Sequence, residues 1–122
     1  MIGYVTLGTN DLARATAFYD QLFAALGGKR VWDSERGVAW GSSMQAPSVG
    51  VIKPFDGRPA TSGNGTMVAL AVASKEDVDR LHALAIKLGA TDEGKPGERF
   101  GGFYAAHFRD LDGNKLNFFH MG

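Results

Sequence analysis

The feature that most constrains this chain is an order of segments that occurs twice. A β-prone run at 2–7 feeds directly into a helical stripe, and a glycine stop, Gly27, follows Tyr4 by 23 residues. A second run at 66–72 feeds into a second stripe, whose stop, Gly89, follows Met67 by 22 residues. Each stop is followed by three short strand candidates: 29–33, 37–41 and 50–53 in the first half, then 90–93, 103–109 and 115–120 in the second. The order strand, helix, strand, strand, strand therefore repeats, and two tandem βαβββ modules are the simplest α+β reading. Residues 1–55 form module one, 56–65 a linker and 66–122 module two, within one domain of 122 residues. Each sheet carries its helix on one face and leaves the other free. Two such modules side by side make a curved mixed sheet, helices on its convex face and a concave face suited to a small molecule.

The helices are legible in detail. The first has Ala15, Phe18, Tyr19, Leu22 and Leu26 at helical spacing behind Asn10 as N-cap, with Asp11 in the first turn where the helix dipole favours a carboxylate. The second has Val78, Leu81, Ala85 and Leu88 behind Ser74, with Asp77 three residues on as a capping-box partner. The glycine-rich stretch 94–102 reads either as a flap over the cavity mouth or as a long turn.

Composition excludes several function classes. Thirteen Lys and Arg balance thirteen Asp and Glu, and neither half carries an excess of more than one charge, so nucleic acid and membrane surfaces are not expected partners. No apolar run is long enough to span a bilayer, and no signal peptide is visible. There is no cysteine, which removes disulfides, thiolate catalysis and Cys-based metal sites. The cytoplasm is the default address. No Gly-x-Ser-x-Gly elbow, His-Glu-x-x-His pair or Walker loop is present.

The most informative local stretch closes the chain. Asp112-Gly113 is a strong turn signal, and a three-residue loop with Gly113 in the left-handed conformation pairs Asp110 with Asn114. Phe108 then falls opposite Leu116 and Ala106 opposite Phe118, an apolar face for packing under the helix. The other face sets Ala105, His107 and Arg109 against Phe119, Asn117 and Lys115, a mixture better suited to a ligand wall than to a core.

The opening Gly3-Tyr4-Val5-Thr6-Leu7-Gly8-Thr9-Asn10-Asp11-Leu12 through Phe18-Tyr19-Asp20, the duplicated layout and the closing Phe108-Arg109-Asp110-Leu111-Asp112-Gly113-Asn114-Lys115-Leu116 resemble the vicinal oxygen chelate superfamily, the group of glyoxalase I, bleomycin-resistance proteins and extradiol dioxygenases. The resemblance covers essentially the whole chain, with Leu111 standing where proline is commoner. It implies metal-ligand positions at Tyr4, Val51, Met67 and Asn117. Metal-dependent members carry His, Glu, His and Glu or close variants there, whereas these four residues are not carboxylates or imidazoles. No metal and no cofactor are therefore expected. The arginine with which glutathione-dependent members hold their cofactor maps to Gly8, so glutathione recognition is unsupported. What the resemblance leaves is similar to bleomycin-resistance-type binding.

Tyr4, Thr6, Trp40, Met67, Phe103, His107, Arg109, Asn117 and Phe119 are the candidate ligand-binding residues, for a small, partly aromatic molecule. The alternative is a metal-free lyase or isomerase of glyoxalase-like type, with His107 as acid–base and His107 and Tyr4 as catalytic residues in place of a metal. The bland reading of His107 is a hydrogen-bonded sheet histidine, and of His82 and His120 surface or rim positions. Arg109 and Lys115 face each other, to be neutralised by Asp110 and Asp112 or by an anionic ligand group. A two-fold homodimer is the expected assembly.

Overall fold

In the computed structural model, which describes residues 1–122, the chain divides into two units, Met1–Ser62 and Gly63–Gly122. The first runs β1 (Tyr4–Gly8), α1 (Leu12–Ala25), β2 (Lys29–Asp33), β3 (Gly37–Gly41) and β4 (Ser48–Ile52). The second runs β5 (Val68–Ala71), α2 (Lys75–Lys87), β6 (Thr91–Phe100), β7 (Phe103–Arg109) and β8 (Lys115–Met121). The sheet orders, β1-β4-β3-β2 and β5-β8-β7-β6, are the same arrangement twice. In each, the first strand lies parallel to the last and the other neighbours are antiparallel. The α+β class and the repeated βαβββ order are those expected.

Unit 1 packs Ala15, Phe18, Tyr19, Leu22 and Phe23 of α1 against its sheet. Tyr19 meets Phe18 edge-on at 4.8 Å, stacks on Phe23 at 5.0 Å and leans on Trp40 at 5.6 Å, and such aromatic pairs add to area burial. The N-cap is Asp11, whose side chain accepts from the Arg14 N–H. Asn10 does something else. Its amide accepts from the Ala60 N–H at 2.7 Å and donates to the Ala60 carbonyl at 3.3 Å, holding the 54–62 segment to the start of α1.

Unit 2 buries Val78, Leu81, His82 and Ala85 of α2 over Phe108, Leu116 and Phe118, with Phe108 and Phe118 stacked at 5.4 Å. Ser74 caps α2 by accepting from the Asp77 N–H, as expected. The hairpin closes through Gly113 at φ +86°, and its register pairs Phe108 with Leu116, Ala106 with Phe118, His107 with Asn117 and Arg109 with Lys115. That register is the one the three-residue loop dictates.

The stretch 94–102 corrects its expectation. Most of it is neither flap nor long turn but the continuation of β6 to Phe100, paired with β7 and turning only at Gly101 and Gly102. Its pairing slips at three places, and those bulges accommodate the Gly and Pro that disfavour regular strand.

Candidate functional site

The two faces of unit 1 are separated by one bulge. Arg30 pairs with Trp40, but the next partner of β3, Ala39, pairs with Trp32, so Val31 is an extra residue and Arg30 and Trp32 fall on opposite faces. Arg30 and Trp40 share the side of α1. Arg30 holds Asp20 through two hydrogen bonds of 2.9 and 2.7 Å, and the Trp40 indole donates to the same carboxylate at 2.9 Å. The Arg30 hydrogen bonds keep the Asp20 carboxyl below its ordinary range; burial opposes them and the Trp40 bond reinforces them. Trp40 is therefore a core residue, 3% exposed, and the expectation that it lines a ligand wall is corrected.

Trp32, by contrast, is 47% exposed on the helix-free face. A Cβ at Gly37 would stand 3.2 Å from the Trp32 ring, so the missing side chain there lets the indole lie close to the sheet. Tyr4, Thr6, Trp32, Ala39, Gly50 and Ile52, with the 44–47 loop, line a cavity of about 740 Å³. Tyr4 and Thr6, expected on a ligand wall, line this cavity together with Trp32, which strict alternation along β2 would put beside Arg30. Val51 is also displaced from its expected role. It is 1% exposed and paired with Val38 and Leu7 on the side of α1, while Ser48, Gly50 and Ile52 share the face of Tyr4.

In unit 2 the helix-free face brings together most of its candidate residues. Asn117, 2% exposed, sends its side-chain N–H groups to His107 Nε2 at 3.3 Å and to the Met67 sulfur at 3.9 Å. Donation to Nε2 requires that nitrogen to be the acceptor, which places the proton of the neutral imidazole on Nδ1. Burial first, then the charges of Arg99, Lys115 and His82, push the His107 pKa below its ordinary 6.5, so the imidazole is neutral at pH 7. Asn117 Oδ1 is buried without a hydrogen-bond partner. Phe119 stacks on Phe103 at 5.2 Å and Phe103 on Phe100 at 5.1 Å, so Phe100, hidden in the glycine-rich stretch, extends the aromatic row. Arg109 is paired with Glu93 at 3.1 Å and also donates to the Gly113 carbonyl.

The other histidines are structural. His82 is buried, and its Nε2 lies 3.1 Å from Asp92 and 3.2 Å from the His107 carbonyl. Asp92 accepts from the Gly94 N–H as well, and this bond, ahead of the attraction of His82, holds its carboxyl below the ordinary range. The pair thus pins the bulge that sets Gly94 opposite His107. His120 Nδ1 meets the Val72 carbonyl at 3.1 Å.

The positions at which the resemblance implies a divalent metal do not suit one. Tyr4 offers a phenol, Met67 a thioether and Asn117 an amide, while the Val51 hydrocarbon lies on the side of α1. Hard and borderline divalent ions are held by carboxylates and imidazoles, and neither unit gathers three or more His, Cys, Asp or Glu side chains that could hold a metal. No helix is long and apolar enough to cross a membrane.

Comparison with known proteins accords with this architecture. The family model for the Glyoxalase/Bleomycin resistance protein/Dioxygenase superfamily matches residues 1–118. A glyoxalase/bleomycin resistance protein from Albidiferax ferrireducens is 36% identical, with a TM-score of 0.91 and coverage of 100% of this chain and 99% of that one. A glyoxalase/bleomycin resistance protein/dioxygenase family enzyme from Burkholderia phytofirmans is 25% identical, with a TM-score of 0.80 and 98% of each chain covered. A lactoylglutathione lyase from Agrobacterium tumefaciens, 21% identical at a TM-score of 0.72 over 98% of this chain and 92% of that one, shares the fold. A search among curated proteins finds no match. With the repeated βαβββ sheets, the closing hairpin and a family match over nearly its full length, the chain belongs to the glyoxalase/bleomycin resistance protein/dioxygenase superfamily.

Proposed function

We propose that the chain binds a small, partly aromatic molecule on the helix-free faces of its sheets, without the metal that many of its relatives employ. One observation carries the reading. Both helix-free faces present aromatic and weakly polar side chains: Tyr4, Thr6 and Trp32 around the unit 1 cavity, and Phe103, Phe119, Met67 and the His107–Asn117 pair on unit 2. Aromatic rings give contact area at little conformational cost, and the Met67 side chain, 42% exposed, adapts its shape to a guest. Arg109 contributes as a cation already balanced by Glu93. In this reading the protein is a cytoplasmic, two-fold homodimer. Exposed apolar side chains such as Phe55 and Met121 favour such an assembly.

A second reading is a metal-free lyase or isomerase in which His107 moves a proton. The observation that favours it is an imidazole kept neutral at pH 7 by burial and neighbouring cations, whose one lone pair, on Nε2, takes up a proton when the Asn117 N–H moves off it. His107→Ala separates the two. Loss of any turnover with affinity retained supports catalysis, while equal loss of both identifies a contact residue of a binder.

A further inference from the structure

We infer that the unit 1 cavity selects an uncharged, flat aromatic molecule and takes it against Trp32; this rests on the binding reading above and narrows it to a ligand class. The cavity is lined by Ile2, Gly3, Tyr4, Thr6, Val31, Trp32, Ala39, the 44–48 stretch and Gly50 to Ile52, and not one of these side chains carries a charge. In a chain with 26 charged residues of 122, a lining of that kind is a chemical statement about the guest. A carboxylate or phosphate entering it leaves water for a wall with no compensating cation, whereas a neutral amide or phenol gives up far less hydration.

The floor explains the preference for a flat shape. Ala39 and Gly50, both small and themselves buried, lie side by side on β3 and β4, facing the same way as Tyr4 and Thr6 of β1, so no bulky side chain rises from the centre of the sheet. A Cβ at Gly50 would already stand 3.3 Å from that of Ala39. Trp32 and Tyr4 rise at the two sides, both exposed, and a ring seated on the floor stacks against the indole. The volume of about 740 Å³ suits a small-molecule site. The side-chain groups of Tyr4, Thr6, Gln45 and Ser48 are not engaged in hydrogen bonds within the protein, so each is free to orient a neutral polar substituent.

The chain has two tryptophans, one in the cavity wall and one in the core, which gives the experiment its internal control. Titration of ¹⁵N-labelled protein with naphthalene-2-carboxamide and, separately, naphthalene-2-carboxylate reads both indole N–H signals, assigned with Trp32→Phe. The Trp32 signal should move on adding the amide and the Trp40 signal should stay. The carboxylate should bind at least tenfold more weakly. Ala39→Leu, which fills the floor, should weaken the amide at least tenfold by the Trp32 signal, and Trp32→Ala, at an exposed position, should do so by calorimetry, with a retained, dispersed Trp40 signal certifying an intact core in each. A carboxylate that binds as well as the amide overturns the inference while leaving the binding reading in place. A Trp32 signal that ignores both probes and moves only with protein concentration overturns both, because a second copy then covers the face.

Discussion

Replacing the two tryptophans one at a time tests the bulge that divides the faces of unit 1. Trp40 is 3% exposed, packs on Tyr19 and Phe23 at 5.6 Å each and donates to Asp20 at 2.9 Å. Truncating a buried aromatic to alanine costs about 3–5 kcal/mol, and the Asp20 carboxylate loses one of its donors in the same step. Trp40→Phe keeps much of the ring packing and removes only the donor. Asp20 retains its Arg30 partners, so the cost falls to about 1–2 kcal/mol. Trp32, nearly half exposed on the other face, forfeits only part of the burial of a large side chain, and Trp32→Ala should cost about 1 kcal/mol or less. Urea unfolding followed by circular dichroism at constant m reads all three values. The ordering should be Trp40→Ala well above Trp40→Phe, with Trp32→Ala lowest, while ligand affinity falls for Trp32→Ala. Equal costs for the two alanine variants, or a larger one at Trp32, would refute the inserted Val31 and with it the assignment of the wall.

His107 has its pKa depressed by burial and by neighbouring cations, so between its folded and unfolded values the unfolded chain binds more protons. Its contribution is present above the unfolded value near 6.5, is lost as pH falls from there through the folded value, and should vanish in His107→Gln; the imidazole signals should titrate below 6.5 in the native protein. Asp20, also depressed, contributes stability that is present above the usual carboxylate range and lost as pH falls through its lower folded value. Because the pair is partly exposed, Asp20→Asn should flatten the acid limb of the stability curve at a cost of about 1 kcal/mol or less from the lost ion pair. Asn10→Ala removes both hydrogen bonds to Ala60, and limited proteolysis should then nick the 54–62 segment faster while the far-UV spectrum is unchanged. Gly113→Ala forces a side chain into φ +86° and should lower stability by about 1 kcal/mol in the same urea assay.

How far the sequence speaks for itself depends on the kind of signal. The hairpin of β7 and β8 was legible to the residue, because an Asp-Gly turn of fixed length leaves one register. The repeated order was legible because both helices have apolar stripes and glycine stops. Faces were harder wherever a strand is irregular. One inserted residue at Val31 puts Trp32 on the face opposite Arg30 and Trp40, and no local composition marks it. The long β6 was hidden for a related reason: glycines and Pro96 lower intrinsic strand preference, and only pairing along β7 overrides it. At α1 two adjacent residues could each cap, and Asn10 is taken by Ala60, leaving the role to Asp11. The isolation of Asn117 Oδ1 could not be read from sequence, since it depends on where His107 and Met67 place their side chains.

The sharpest test of a binding site that works through rings and neutral polar groups alone is calorimetry with naphthalene-2-carboxamide on protein stripped with a chelator and checked for residual metal by mass spectrometry. Affinity should stay within twofold when Zn²⁺, Mn²⁺ or Ni²⁺ is restored. Binding that appears only with one of these ions, and disappears in Asn117→Ala or Tyr4→Phe, would contradict the account.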